Sequence, residues 1–157
     1  MNGLEGVQAP AFELRGSDGL LHSPAGYRGR VFVLYFYPRD NTPGCTKEVE
    51  GFRDLYAAFQ AVGVDVLGVS KDSLDSHHRF IEKLDIPFIL LSDPTTEMMS
   101  AYGAFGEKVL YGKKSIGVIR STVIVGADGV VLKHWRRVPK AADHAKKVFE
   151  IVQKLKG

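Results

Sequence analysis

The chain carries one cysteine, Cys45, inside Phe36-Tyr37-Pro38-Arg39-Asp40-Asn41-Thr42-Pro43-Gly44-Cys45-Thr46. A lone cysteine is most often a small buried hydrophobe with no chemistry of its own. The flanking residues argue for more. A strand-like run, Val31 to Tyr37, is broken by Pro38, Pro43 and Gly44, and an amphipathic pattern begins at Thr46, so the sulfur falls where a helix starts. There the first backbone N–H groups lack intrahelical partners and the helix dipole presents its positive end. Both favour thiolate, the nucleophilic form of sulfur. Thr42 places a hydroxyl just ahead of it. The chemistry that fits is redox chemistry at a single sulfur.

The elements that must position this sulfur alternate between strand and helix patterns, which indicates an α/β fold. Val31–Tyr37 is a nearly continuous apolar run, suited to a central strand covered on both faces. Thr46 to Ala61 repeats Val49, Phe52, Leu55, Tyr56 and Phe59 at helical spacing, and Gly63 ends the helix. Val64–Val69 reads as a second strand. Asp72 or Ser73 caps a helix to about Leu84, with Phe80, Ile81 and Leu84 inward, and Phe88–Leu91 is a third strand. Ser92-Asp93-Pro94 is expected to open a short helix through Tyr102, with Pro94 in its first turn. Gly103 to Gly117 reads as a glycine-punctuated loop. Ser121–Val125 and Val130–Trp135, around Gly126-Ala127-Asp128-Gly129, form a hairpin, and Ala141 to Leu155 is the closing helix. This order fits a thioredoxin-like fold, a central mixed sheet flanked by helices. A flavodoxin-like arrangement shares much of the pattern, but the late hairpin favours the former. One domain spanning 1–157 is expected.

Length and composition set further bounds. At 157 residues, 45% hydrophobic and 25% charged, the chain has the balance of a soluble globular protein that needs no disulfide or metal to hold it. Neither a signal peptide nor an apolar run of membrane-spanning length is seen, so no membrane partner is expected. One cysteine without an export signal points to the reducing cytoplasm. The net charge is +3, and from Lys133 onwards eight Lys/Arg face two Asp/Glu. A solvated helix face accounts for that basic segment, and no nucleic-acid motif accompanies it. The adjacent His77-His78 pair lacks the i, i+4 spacing of a helical metal site, and His22, His134 and His144 read as surface or capping residues, so no metal is expected. Trp135 and Tyr102 read first as core residues.

The run Pro38-x-x-x-Thr42-x-x-Cys45 resembles the peroxiredoxin active-site loop, and most nearly that of the bacterioferritin-comigratory (PrxQ) subgroup, here in a one-cysteine form. Gly117-Val118-Ile119-Arg120-Ser121-Thr122, Trp135-Arg136-Arg137-Val138, Asp18-Gly19 and Tyr27-Arg28-Gly29-Arg30 extend the likeness over about residues 4 to 155. The resemblance implies a thiol-dependent peroxidase acting on hydrogen peroxide or alkyl hydroperoxides, without metal or organic cofactor. Cys45 is then the peroxidatic thiolate, oxidised to sulfenic acid as the O–O bond breaks. Arg120 supplies a cationic donor fork for the departing oxygen, Thr42 a hydrogen bond to peroxide or thiolate, and Pro38 a shield against water. Glu48, one helical turn past Cys45, either positions Arg120 or simply suits the helix dipole.

Ionisation alone makes no fast peroxidase. Lowering any thiol from ~8.5 to ~6 raises the thiolate fraction at pH 7 about 30-fold, but the weaker nucleophile gives back roughly 13-fold of it. Orientation of peroxide and stabilisation of the leaving oxygen must supply the rest. The sequence also departs from the subgroup. Its resolving cysteine often lies five residues past the first, where this chain has Glu50, or on the next helix, where Ser73 to Leu84 has none. An external thiol is therefore expected as reductant, either glutathione or a thioredoxin- or glutaredoxin-like protein, acting on a monomer or weak homodimer. A redox sensor using the same sulfur without turnover is the alternative. A dithiol oxidoreductase lacks its second thiol, and a basic binding module rests on the C-terminal charge alone.

Overall fold

The computed structural model describes residues 3–156, so Met1, Asn2 and Gly157 of the expected 1–157 unit lie outside it. A small hairpin, β1 (Leu14–Arg15) with β2 (Leu21–His22), turns at Asp18-Gly19 and precedes the short 3-10 turn Pro24–Tyr27. Then follow β3 (Val31–Phe36), α1 (Pro43–Ala61), β4 (Val64–Ser70), α2 (Leu74–Leu84), β5 (Ile89–Ser92) and α3 (Glu97–Ala101). The second half comprises β6 (Phe105–Leu110), β7 (Lys113–Val118), β8 (Ser121–Val125), β9 (Val131–Trp135) and α4 (Ala141–Lys156).

The main sheet has the order β5-β4-β3-β8-β9. β3, β4 and β5 run parallel, while β8 lies antiparallel to β3 and β9 antiparallel to β8. This is the mixed sheet expected of a thioredoxin-like fold, and an all-parallel arrangement is excluded. β3 is central because its alternation is apolar on both sides. Val33, Tyr35 and Tyr37 meet Phe52 and Phe59 of α1, Phe80 of α2 and Val148 and Val152 of α4. Phe32, Leu34 and Phe36 meet Met98, Met99 and Tyr102 on the opposite face. Complete burial of a side chain such as Phe52 contributes about 2–3 kcal/mol. α1 and α4 approach closely, since a Cβ placed on Gly51 would stand 3.1 Å from Ala145 Cβ.

Three expectations change. α1 begins at Pro43 instead of Thr46, because Pro suits the first helical position, and this puts Cys45 inside the first turn. α3 begins at Glu97, past Pro94. Asp93 holds its start by accepting the Met99 N–H at 2.9 Å, and Thr96 turns the chain at φ 62°. The stretch read as a loop from Gly103 to Gly117 is the β6–β7 hairpin, standing apart from the main sheet. Its tip is Tyr111-Gly112 with φ 53° and 77°, as a type I′ turn requires.

Candidate active site

The end of β3 and the start of β8 are neighbours in the sheet, with Phe36 opposite Ser121. The loop after β3 therefore meets the residue before β8, which is Arg120. The Arg120 carbonyl accepts the Val138 N–H at 2.9 Å, so its backbone is tied to the chain beyond β9. The guanidinium reaches under α1. Its Nη2 donates to Cys45 Sγ at 3.4 Å and its Nη1 to Glu48 Oε1 at 2.6 Å. Gly44 makes room for this, because a Cβ there would stand 3.1 Å from Nη2.

Cys45 is 1% exposed and Glu48 fully buried. Thr42 is the N-cap of α1 by position, yet its side chain does not cap. Its hydroxyl donates to the Arg39 carbonyl at 2.9 Å, while its own carbonyl accepts the Thr46 N–H at 2.8 Å. Two consequences follow. The Thr42 Oγ1 is left with lone pairs, able to accept a hydrogen bond from a peroxide O–H. The N–H groups of Gly44 and Cys45 have no partner among the described residues, so the helix start offers free donors beside the sulfur. Pro38 and Arg120 both line a cleft of about 310 Å³ at this end of the sheet.

Burial pushes Glu48 up to about 7 against the pull of Arg120. Its Oε2 has no hydrogen-bond partner among the described residues, and neither has the nearby Tyr35 hydroxyl. For Arg120, burial works downward, but the charges of Glu48 and Cys45 outweigh it and hold the guanidinium above its usual range. Arg120 is thus the fixed charge of this pair and Glu48 the variable one. Beneath them, His144 accepts or donates at 2.7 Å with Thr122 Oγ1 and packs edge-on to Trp135 and Phe52. Burial first, then Arg120 and Lys147, push it down to about 4. His144 is therefore a neutral core residue and not the surface or capping group its sequence suggested. Tyr102 is also core, donating to the Pro10 carbonyl at 2.6 Å on the far face.

The support of the loop was missed in the sequence. Asp40 is buried and accepts from the Tyr37 hydroxyl at 2.6 Å and the Ser76 hydroxyl at 2.8 Å, with His77 Nδ1 also at 2.8 Å. His77 Nε2 donates to the Leu91 carbonyl at 2.9 Å, and the Asp40 N–H reaches Asp72 at 2.9 Å. This network ties the loop to α2 and β5. Its signal was the helical register of α2: His77 stands three residues before Phe80, on the inward face, and a buried histidine needs partners.

Residues 6–134 match the AhpC/TSA family. The chain belongs to that family. Within it, the chain is 40% identical over 151 residues to peroxiredoxin Bcp of Bacillus subtilis, covering 96% of this chain and 94% of the relative. Among solved structures it is similar to peroxiredoxin Q of Xanthomonas campestris, with TM-score 0.87, 37% identity, and 93% and 92% of the two chains covered. Peroxidoxin BcpB of Mycobacterium tuberculosis gives TM-score 0.84 and 30% identity over 96% and 97% of the chains. This family member is an enzyme of the thiol peroxidase kind.

Proposed function

We propose that the chain, working as one thioredoxin-like domain, reduces hydrogen peroxide and alkyl hydroperoxides through Cys45. The Cys45 thiolate attacks one peroxide oxygen, an S–O bond forms as the O–O bond breaks, and the sulfur gives up two electrons. The other oxygen leaves as hydroxide or alkoxide and takes a proton to become water or alcohol. The observation that carries this reading is Arg120 Nη2 at 3.4 Å from Cys45 Sγ, beside the unpartnered N–H groups of Gly44 and Cys45. Donors already in place at the developing oxyanion cost no reorganisation during reaction, which is where such sites gain most of their rate. Thr42 accepts from the incoming O–H and so orients the peroxide. Pro38 walls the sulfur from water without offering a competing N–H. Glu48 positions Arg120.

The resulting sulfenic acid has no second cysteine in its own chain to meet, so an external thiol reduces it. One thiol displaces water to give a mixed disulfide and a second releases Cys45. Slow resolution leaves Cys45 open to overoxidation to sulfinic acid. A reducing compartment such as the cytoplasm suits this cycle. No helix among the described residues is long and apolar enough to cross a membrane. The protein is taken to act as a monomer or weak homodimer. Intact-mass analysis after one equivalent of peroxide tests the reading. One added oxygen is expected on the wild type, reversed by thiol and absent from Cys45→Ser; no addition to the wild type removes Cys45 as the reacting group.

A further inference from the structure

The cleft over Arg120 carries more charge than a peroxide needs. Three of its lining residues, Lys108, Arg120 and Arg137, are cations and none is acidic. Arg120 is committed to Glu48 and Cys45. Among the described residues, Lys108 Nζ donates only to the Val118 carbonyl, at 3.0 Å. Arg137 is exposed and has neither a hydrogen-bond nor a carboxylate partner among the described residues. The remaining wall is apolar, built by Pro38, Val109, Val118 and Val138 among others. Hydrogen peroxide is small and uncharged, so it gains nothing from Lys108 or Arg137.

We propose that this cleft binds the reductant, and that the reductant is a small thiol bearing carboxylates, which Lys108 and Arg137 receive. The inference rests on the Cys45 reading above and specifies which external thiol acts. The charge balance of the cycle supports it. While sulfur is thiolate, its charge offsets part of Arg120; once it is neutral sulfenic acid, that offset is gone. The cleft is most positive at the step where the thiol must enter. A cationic surround also favours the thiolate form of the incoming group, which is the attacking species. That thiolate attacks Cys45 Sγ, the S–S bond forms as the S–OH bond breaks, and the expelled hydroxide takes the proton the thiol released on ionising and leaves as water, giving a mixed disulfide. A second thiolate attacks the sulfur of the bound thiol, a disulfide departs and Cys45 leaves as thiolate. A thiol is bulkier than peroxide and Cys45 is 1% exposed, so binding in the cleft precedes a loosening of the first turn of α1.

The test oxidises the protein with one equivalent of hydrogen peroxide and then mixes it with 3-mercaptopropionate, 2-mercaptoethanol or cysteamine. Mass spectrometry first verifies the added oxygen, and its absence indicts the Cys45 reading, not the cleft. Rates are expressed per thiolate. The expected order is anionic, then neutral, then cationic, with each cation worth about threefold at ~6 Å in water. Lys108→Gln and Arg137→Gln should each lower the ratio of anionic to neutral thiol about threefold, and the double variant about tenfold. Lys108→Arg should restore it, which separates charge from packing. Equal rates with all three thiols, or variants that slow all three alike, overturn the proposal. So does a Lys108→Gln variant that slows oxidation by a carboxylate-bearing hydroperoxide yet leaves the thiol ratio intact, because the cleft would then serve the oxidant.

Discussion

A Cβ on Gly44 would lie 3.1 Å from Arg120 Nη2, so the absence of a side chain at position 44 sets how near the guanidinium comes to the sulfur. Gly44→Ala should therefore separate stability from catalysis. Alanine is the better helix former by about 0.8–1 kcal/mol, so the melting temperature should hold or rise. The guanidinium must give way by a few tenths of an ångström, and misplacement of about 1 Å can cost on the order of 100-fold. A three- to tenfold loss in the second-order rate with hydrogen peroxide is expected by stopped-flow. An unchanged rate would mean that the Arg120–Cys45 spacing does not govern the reaction.

Thr42→Val tests the orienting hydroxyl. In stability it removes one hydrogen bond to the Arg39 carbonyl and no helix cap, so a loss of about 1 kcal/mol is expected in urea unfolding. Its effect on rate should be larger, on the order of 10- to 100-fold, if the lost group contacts the peroxide as charge develops, as proposed above. If the variant oxidises as fast as wild type, Thr42 has no part in the transition state.

Glu48→Gln should change two pH profiles. Burial raises Glu48 to about 7 from an ordinary 4.5, so the folded state holds a proton that the unfolded chain has released. The favourable difference is present below pH 4.5 and is lost as pH climbs to 7, up to about 3 kcal/mol. Denaturant unfolding at pH 5 and pH 8 should show the wild type losing stability relative to Glu48→Gln by roughly that amount. Ionised Glu48 also offsets Arg120, so the wild-type rate should carry a falling component near pH 7, about two- to fivefold deep, absent from the glutamine variant.

His144 works in the opposite sense. Held at about 4 against an ordinary 6.5, it stays neutral in the fold while the unfolded chain takes up a proton. Its contribution is complete above pH 6.5 and disappears as acidity increases to pH 4, a change of about 2–3 kcal/mol. Measured as the difference between wild type and His144→Gln, the loss should be confined to that window. A difference that does not vary between pH 7 and pH 4 would show that His144 takes up its proton in the fold as readily as in the unfolded chain.

What was legible in the sequence followed burial. β3, β4, α1 and α4 could be read because each buries a regular apolar face, and Ser73 announced its helix by accepting the Ser76 N–H at 3.2 Å. The β6–β7 hairpin could not be read that way. Ile116, Val109 and Tyr111 are exposed, and lysines and glycines interrupt any alternation, leaving only the Tyr-Gly tip as a sign. α3 was read as a helix but begun too early, because its start is fixed by Asp93 reaching forward to Met99, a contact with no local pattern. In the site, Cys45 and Thr42 announce themselves through the loop they share. Arg120 lies 75 residues away from Cys45 and was found by resemblance alone. Asp40 and Gly44 were hidden in plain view, since their importance lies in what they touch.

The near-total enclosure of Cys45 has a practical outcome for reagents. A thiol so enclosed should sort electrophiles by bulk before reactivity matters. Hydrogen peroxide is expected to react well ahead of iodoacetamide or a maleimide, which must wait for the helix start to fray. Alkylation should consequently report breathing of that turn, and slow labelling of this thiol will not mean that it is inert.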